Sequence, residues 1–320
     1  MPELPEVETI RRDLVPALRG SLICQVWSSE MPLRGGQRLD YPTLASACVG
    51  RRFVEVRRRG KYLLLEVEGE STIVAHLGMS GRLLVTPAGE PRALHTHVVW
   101  SLERPSSGRG RRRGTGRTPA KNELRFVDPR RFGVVMVVPS RSELAVPPLA
   151  SLGVEPLGSE LTSATLLRLA AGTRQSVKTF LLDQSQIAGL GNIYVCEALF
   201  EARIHPETPA CSLGPQQAAT LRRAIVKVLQ RSISNRGTTF RDFVDATGTA
   251  GTNQHTLRVY GRQGEPCPRR DGGQIVRLPQ NGRSTYLCPV CQPSLPGLPS
   301  LKARRTRSPK SVDASEALER

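Results

Sequence analysis

Nowhere in the 320-residue chain do 18 apolar residues run together, which excludes an ordinary membrane-spanning helix. The start is acidic and proline-bearing, without the basic and apolar regions of a secretory signal. Cysteine is sparse, seven residues at uneven spacing, so no secreted disulfide framework is written into the chain. Cys24, Cys48, Cys196 and Cys211 are expected to be reduced and mostly buried. Internal repeats are missing, and acidic residues are few: 28 against 46 Lys plus Arg, a net charge of +18. Such a field favours an anionic partner, nucleic acid above all. Half of it lies in two appendages. The stretch Ser101–Lys121 sets seven basic residues against Glu103, and the tail from Gln292 sets six against three acids, leaving +9 on the body. The expectation is a cytoplasmic protein with no membrane contact that faces nucleic acid.

What is present reads as two domains, which this length can support. Leu4, Val7, Ile10, Leu14 and Leu18 recur at helical spacing, Pro5 suits a first turn and Gly20 a stop. Short apolar or alternating runs follow at Leu22–Trp27, Phe53–Arg57, Tyr62–Val67, Thr72–His76, Arg82–Val85, Val98–Leu102, Leu124–Phe126 and Gly133–Val138, the pattern of a two-layer β-sandwich. Between them Ser106–Pro119 is a Gly/Arg-rich insertion without apolar content, expected to be disordered. Pro147–Pro148 and the run to Gly158 mark a connection. Helical patterns then cover Ser163–Ala171, Ser176–Asp183, Asn192–Glu201 and Pro215–Asn235. Beyond Arg258 come short strands around three cysteines and a basic tail.

The first ten residues, MPELPEVETI, carry chemistry of their own. With a small residue at position 2, Met1 is expected to be removed, leaving Pro2 as a free secondary amine. An α-amino group titrates near pH 8, so a useful fraction is an unprotonated nucleophile at neutral pH. Attack on a sugar aldehyde carbon by such an amine gives a cationic iminium, an electron sink for the adjacent C–H bond. Glu3 next door can move the proton, and Glu6 can bond backbone or substrate. Taken alone, the string reads more simply as a capped helix start.

The string nonetheless resembles the start of bacterial formamidopyrimidine-DNA glycosylases, and further matches follow in order over about residues 1–292. They are Arg58-Arg59-Gly60-Lys61, His76-Leu-Gly-Met79-Ser-Gly, Asp128-Pro-Arg130-Arg131-Phe132-Gly, Arg174-Gln-Ser-Val-Lys178, Ile187-Ala-Gly-Leu-Gly-Asn192 and the C-terminal cysteines. The resemblance implies an α+β protein: an N-terminal helix plus two-layer β-sandwich domain (1–145, with the insertion at about 104–120), and a helical domain with a helix-two-turn-helix (146–257). A zinc-finger-like β-hairpin (258–292) and a disordered basic tail (293–320) complete it. It implies a glycosylase and abasic-site lyase that excises oxidised purines from double-stranded damaged DNA, as a monomer. Pro2 is then the nucleophile, with Glu3, Lys61 and Arg283 assisting. Met79, Arg130 and Phe132 fill the void left by an extruded base. Glu6, His76, His95, Arg174, Lys178 and Asn192 are expected at the DNA or lesion, with the helix N-terminus at Asn192 offering N–H groups to a phosphate. The loop from Thr238 through Arg262 corresponds to a lesion-sensing segment.

One motif departs from the pattern. The family's structural Zn2+ is held by two Cys-x-x-Cys pairs. Here Cys288-Pro-Val-Cys291 is intact, but Cys267-Pro-Arg-Arg270 has an arginine where a thiolate belongs, leaving three cysteine ligands. Asp271 supplies a fourth if the loop shifts by one residue. Among related possibilities, endonuclease VIII-type enzymes start with Gly where this chain has Leu4. A proline tautomerase would be far shorter, and a non-catalytic descendant could dispense with Pro2, Glu3 or Lys61.

Overall fold

The computed structural model describes residues 2–29, 31–33, 39–104 and 121–294, so the core of the Gly/Arg insertion and most of the basic tail lie outside the described residues. The first helix, α1 (Leu4–Leu18), begins where Glu6 reaches back to accept the Glu3 N–H at 2.9 Å, with Pro5 in the first turn. Its apolar stripe is spent in two places. Val7, Ile10, Leu14 and Leu18 join the core of the N-terminal sheets, whereas Leu4 joins the core of the C-terminal helices. All five side chains are at most 1% exposed, each such burial being worth about 2 kcal/mol. Helix α1 is therefore the seam between two cores.

The N-terminal layers are two four-stranded antiparallel sheets. One runs β1-β6-β7-β5 (Leu22–Ser28, Thr96–Glu103, Lys121–Val127, Arg82–Pro87). The other runs β2-β3-β4-β8 (Phe53–Arg59, Tyr62–Val67, Ser71–His76, Val134–Pro139). Strand β3 is buried along nearly its whole length because both faces are covered. Leu63 and Leu65 face the main core, while Tyr62 and Leu64 meet Val74, Val138 and Leu149 in a smaller cluster. The connection containing Pro147 and Pro148 thus packs on the outer face of that sheet.

Helix α2 (Tyr41–Cys48) was not expected. Asp40 caps it, accepting the Thr43 N–H at 3.1 Å, and Pro42 sits in its first turn. Helices α3 (Ser163–Ala171), α4 (Val177–Leu182), α5 (Asn192–Ala202) and α6 (Pro215–Ser234) build the second core, within two residues of the expected spans. The hairpin β9–β10 (Val276–Gln280, Arg283–Leu287) turns through Asn281 and Gly282, both at positive φ, as a two-residue hairpin turn requires. All seven cysteines are free, but only Cys48 and Cys196 of the four expected to be mostly buried are so. Cys24 and Cys211 are exposed, Cys24 lying in an edge strand and Cys211 in a surface turn. Among the described residues no helix is long and apolar enough to cross a membrane.

Candidate active site

The chain's beginning is threaded into the helical layer. Pro2 and Glu3 are buried, and Leu4 donates its N–H to the Gly189 carbonyl at 3.1 Å. The turn that receives them, Gly189-Leu190-Gly191, is glycine for a steric reason. A Cβ at Gly191 would lie 2.2 Å from Glu3 Cδ, and one at Gly189, where φ is +90°, would lie 2.7 Å from the Leu4 side chain. Two glycines so spaced let backbone approach closely, and the approach they make here is to the protein's own N-terminus. The Glu3 carboxylate accepts the Ile193 N–H at 3.1 Å and the Tyr194 N–H at 3.5 Å, so it occupies the anion site at the start of α5.

Lys61 follows Gly60 in the turn between β2 and β3 and is 8% exposed, not solvated as an isolated turn lysine would be. Its Nζ donates to the Leu190 carbonyl at 2.8 Å, on the same glycine turn that carries Glu3. Gln184 grips that turn from beneath, bonding the Leu190 carbonyl at 2.8 Å and the Gly189 N–H at 2.9 Å. From the other side Glu155 accepts from the Gly60 N–H and from Arg58, at 2.9 Å, while Arg59 donates to the carbonyls of Leu152 and Gly153. Burial pushes the Glu3 carboxyl up, opposed by the Lys61 charge, and burial pushes the Lys61 ammonium down, opposed by Glu3 and reinforced by Arg283. The proton affinities of acid and amine are thus drawn together, which is what proton transfer near neutral pH needs.

Glu6 is 1% exposed with both oxygens engaged inside the protein: Oε2 by the Glu3 N–H, Oε1 by the Thr238 N–H at 2.7 Å and by the Tyr194 hydroxyl. Tyr194 also bonds Ser232 at 2.6 Å and Thr238 at 2.9 Å, tying α1, α5, α6 and the 238–253 loop into one network. Lys178, 1% exposed on α4, donates to Thr285 Oγ1 at 2.6 Å and the Ser284 carbonyl at 3.1 Å. Asn192 Nδ2 donates to the same carbonyl at 2.9 Å. Exposed Arg283, the residue before Ser284, is close enough to bear on the charges of both Lys61 and Lys178.

Two loops form a rim of different character. Met79 and Phe132 are 38% and 43% exposed, so neither is a core residue, and the Arg130 guanidinium stacks 4.7 Å from the Phe132 ring centroid. The loops interlock through Gly78, whose Cβ position would fall 2.5 Å from the Phe132 carbonyl. Buried Asp128 accepts from Ser80 at 2.7 Å and from the Gly133 N–H at 2.7 Å. His95, exposed at φ +66°, offers its carbonyl to the Asp128 N–H. His76 pairs across strands with Tyr62, ring centroids 4.6 Å apart, and so stands beside the Lys61 turn. Arg174 is exposed in the turn ahead of α4. Sequence reasoning missed Glu155, Gln184, Tyr194 and Glu197, the last of which accepts the N–H groups of Arg258, Val259 and Tyr260. A hydroxyl or carboxylate inside an otherwise apolar helix was the available signal for Tyr194 and Glu197. The segment that resembled a lesion-sensing loop presents Phe240, 53% exposed, with its ring against Tyr260 and Tyr260 against Tyr286.

Below the hairpin, one ligand atom from each of Cys267, Asp271, Cys288 and Cys291 falls within 4.8 Å of the others. The one-residue shift is therefore made. Asp271 faces Cys267 Sγ at 3.1 Å and Cys288 Sγ at 3.4 Å, while Arg270, at φ +56°, is exposed. Three thiols and a carboxylate at this spacing fit a tetrahedral divalent metal of the zinc type.

Residues 1–135 match the model of the formamidopyrimidine-DNA glycosylase N-terminal domain, and residues 152–244 match that of the formamidopyrimidine-DNA glycosylase H2TH domain. The chain is 43% identical over 293 residues to the formamidopyrimidine-DNA glycosylase of Gluconobacter oxydans, covering 91% of this chain and all of that one. It is 44% identical over 269 residues to that of Moorella thermoacetica, covering 84% and 92%. Among solved structures, the Lactococcus lactis Fpg in complex with abasic-site DNA superposes with a TM-score of 0.78 at 30% identity, over 91% of this chain and all of that one. A mutant of the same protein bound to Fapy-dG-containing DNA gives 0.78 at 31% identity, over 92% and 100%.

Proposed function

The chain belongs to the formamidopyrimidine-DNA glycosylase family, and from that premise we propose that it is a bifunctional DNA glycosylase and abasic-site lyase acting on oxidised purines, formamidopyrimidine and 8-oxoguanine, in double-stranded DNA. In the encoded chain the Pro2 nitrogen is an amide; removal of Met1 exposes the secondary amine that reacts. Residues 1–145 form the catalytic domain, 146–257 the DNA-binding helical domain and 258–292 the finger. The protein acts as a monomer in the bacterial cytoplasm.

The extruded nucleotide presents C1′ to Pro2. The nitrogen lone pair forms the N–C1′ bond, the glycosidic bond breaks, and the base leaves with its electron pair and a proton delivered from the Glu3 side. Ring opening gives the iminium. Loss of the C2′ proton then expels the 3′ phosphate, and loss of the C4′ proton expels the 5′ phosphate, with Glu3 and Lys61 moving the protons and Arg283 assisting at the second elimination. Met79, Phe132 and Arg130 occupy the space the base vacated and meet its former partner, offsetting the few kcal/mol of lost stacking and pairing. Basic residues bind phosphates, so affinity falls steeply with salt. Cys267, Asp271, Cys288 and Cys291 would hold Zn2+, which when bound cross-links the base of the hairpin that carries Arg283.

The observation that carries this reading is the convergence of buried Glu3 and Lys61 on the Gly189–Gly191 turn, with buried Pro2 adjoining Glu3 in the chain. Borohydride trapping on a duplex with 8-oxoguanine opposite cytosine tests it. A covalent adduct with strand cleavage, both lost in Pro2→Gly, is the expected result. Tight duplex binding without adduct or nicking would sink it, and adducts confined to oxidised pyrimidines would move the substrate class.

A further inference from the structure

The hairpin that carries Arg283 is fastened at its tip as well as at its base. Near the tip, Ser176, Lys178, Thr179 and Asn192 of the helical layer hold it by hydrogen bonds. Lys178 Nζ donates to Thr285 Oγ1 at 2.6 Å and to the Ser284 carbonyl at 3.1 Å. The Thr285 hydroxyl, 0% exposed, donates onward to Gln280 Oε1 at 3.1 Å. Gln280 Nε2 donates to Ser176 Oγ, the N-cap of α4, at 2.7 Å, and Asn281 Nδ2 donates to Thr179 Oγ1 at 2.9 Å. Asn192 holds the Ser284 carbonyl from α5 at 2.9 Å.

The register places this chain of bonds around one residue. Gln280 is the cross-strand partner of Arg283, and Thr285 lies two residues along the same strand, so the three side chains share one face of the hairpin. The cysteine cluster cannot do this work, because Cys288 follows β10 at the end away from the Asn281–Gly282 turn. A two-stranded hairpin alone is marginally stable, so its tip would swing without contacts of its own. A charge that must meet a leaving phosphate within hydrogen-bonding reach cannot tolerate a displacement of about an ångström.

We propose that Thr285 is a positioning residue that aims Arg283, through a latch Lys178–Thr285–Gln280–Ser176 that fixes the hairpin tip on α4. The inference rests on the lyase reading above and concerns its second elimination. There the C4′–H electron pair becomes the C4′=C5′ bond, the proton passes to a base, and the C5′–O pair departs with the phosphate facing Arg283. The first elimination and iminium formation belong to Pro2, Glu3 and Lys61 and do not need the hairpin tip.

The test uses the full-length protein on a duplex with a single abasic site, reading the ratio of δ- to β-elimination product alongside the rate of borohydride trapping. Thr285→Val keeps the side chain's shape and removes its hydroxyl. The δ/β ratio should fall about fivefold, the effect of one lost hydrogen bond, with trapping within about twofold of wild type. Thr285→Ser should restore the ratio. Gln280→Ala, which leaves both Lys178 bonds in place, should lower the ratio by a smaller factor. A Thr285→Val protein with the wild-type ratio, or one whose ratio and trapping fall together, overturns the proposal. A wild-type protein that forms adduct but gives no δ product overturns it too, since an arginine with no second elimination to assist needs no aim. Absence of any wild-type adduct instead defeats the underlying lyase reading and the latch with it.

Discussion

The seam around α1 and the rim of the two loops sit on the same domain yet solve opposite physical problems. At the seam Glu3, Glu6 and Lys61 are all at most 8% exposed, and each is hydrogen-bonded to backbone or side chain of the helical layer. At the rim Met79 and Phe132 are large and apolar and stand in solvent, while the polar group that supports them, Asp128, is the one buried. Chemistry on a sugar needs charge held in low dielectric before the substrate arrives, because nothing then has to reorganise. Insertion into a duplex needs apolar surface that is free beforehand and rigid underneath. The contrast also predicts where mutations should register: in rate and stability at the seam, in recognition alone at the rim.

The sharpest test at the seam is Glu3→Gln. Single-turnover base excision should fall by about 10^2- to 10^4-fold, the usual contribution of a proton-transferring group. The melting temperature should hold or rise, because burial already penalises the ionised carboxyl and a neutral amide carries no such penalty. An unchanged excision rate would remove Glu3 from the chemistry.

Gly191→Ala should come next. The new Cβ would sit 2.2 Å from Glu3 Cδ, so the turn or the N-terminus has to move. The expected cost is about 1–3 kcal/mol of stability and roughly a hundredfold in rate. Gly172→Ala is the matched control: its φ is −75° and its nearest neighbour lies 3.6 Å away. If both variants behave alike under thermal melting and single-turnover assay, the close approach is not what that glycine is for.

These glycines show where reading the sequence succeeds and where it stops. The strands and the helices of the second core were legible because period-2 and period-3.6 patterns are local, and α1 was legible from Leu4 to Leu18. Helix α2 was not, being only eight residues long, although Asp40 and Pro42 carried its start signal. The Gly-x-Gly turn announced a close approach without saying to what, since its partners Leu4 and Glu3 lie more than 180 residues away. Lys178 and Asn192 were expected at the DNA or lesion, but their shared partner was not legible for the same reason: the carbonyl of Ser284 that unites them belongs to a hairpin about 100 residues on. Asp271 became the cluster's fourth member through a loop whose Arg270 adopts φ +56°, a conformation that composition does not encode.

At the rim, Phe132→Ala should leave stability within about 0.5 kcal/mol, because the ring is 43% exposed and buries little. KM for a lesion-bearing duplex should rise about tenfold, part of the few kcal/mol that flipping costs, while nicking of a pre-formed abasic site changes less. Equal losses on both substrates, or a drop in melting temperature, would erase the distinction between rim and seam.

The smallest effect is a slope. Burial and the neighbouring Glu3 carboxylate push the Glu6 carboxyl from 4.5 up to about 7. Between those values the folded protein keeps a proton that the unfolded chain has released, so it binds more protons and stability declines as pH rises from 4.5 to 7. Below 4.5 both states are protonated and above 7 both are ionised, so Glu6 contributes no slope outside the window. The limit is about 1.4 kcal/mol per pH unit. Glu6→Gln has no proton to lose and should lack this component, so the wild type should lose ground to it steadily as pH climbs through the window. Melting temperatures of the two proteins at half-unit intervals measure the difference. Curves that run parallel would mean that Glu6 is ionised throughout, with the Thr238 and Glu3 N–H groups and the Tyr194 hydroxyl holding the charge that burial opposes.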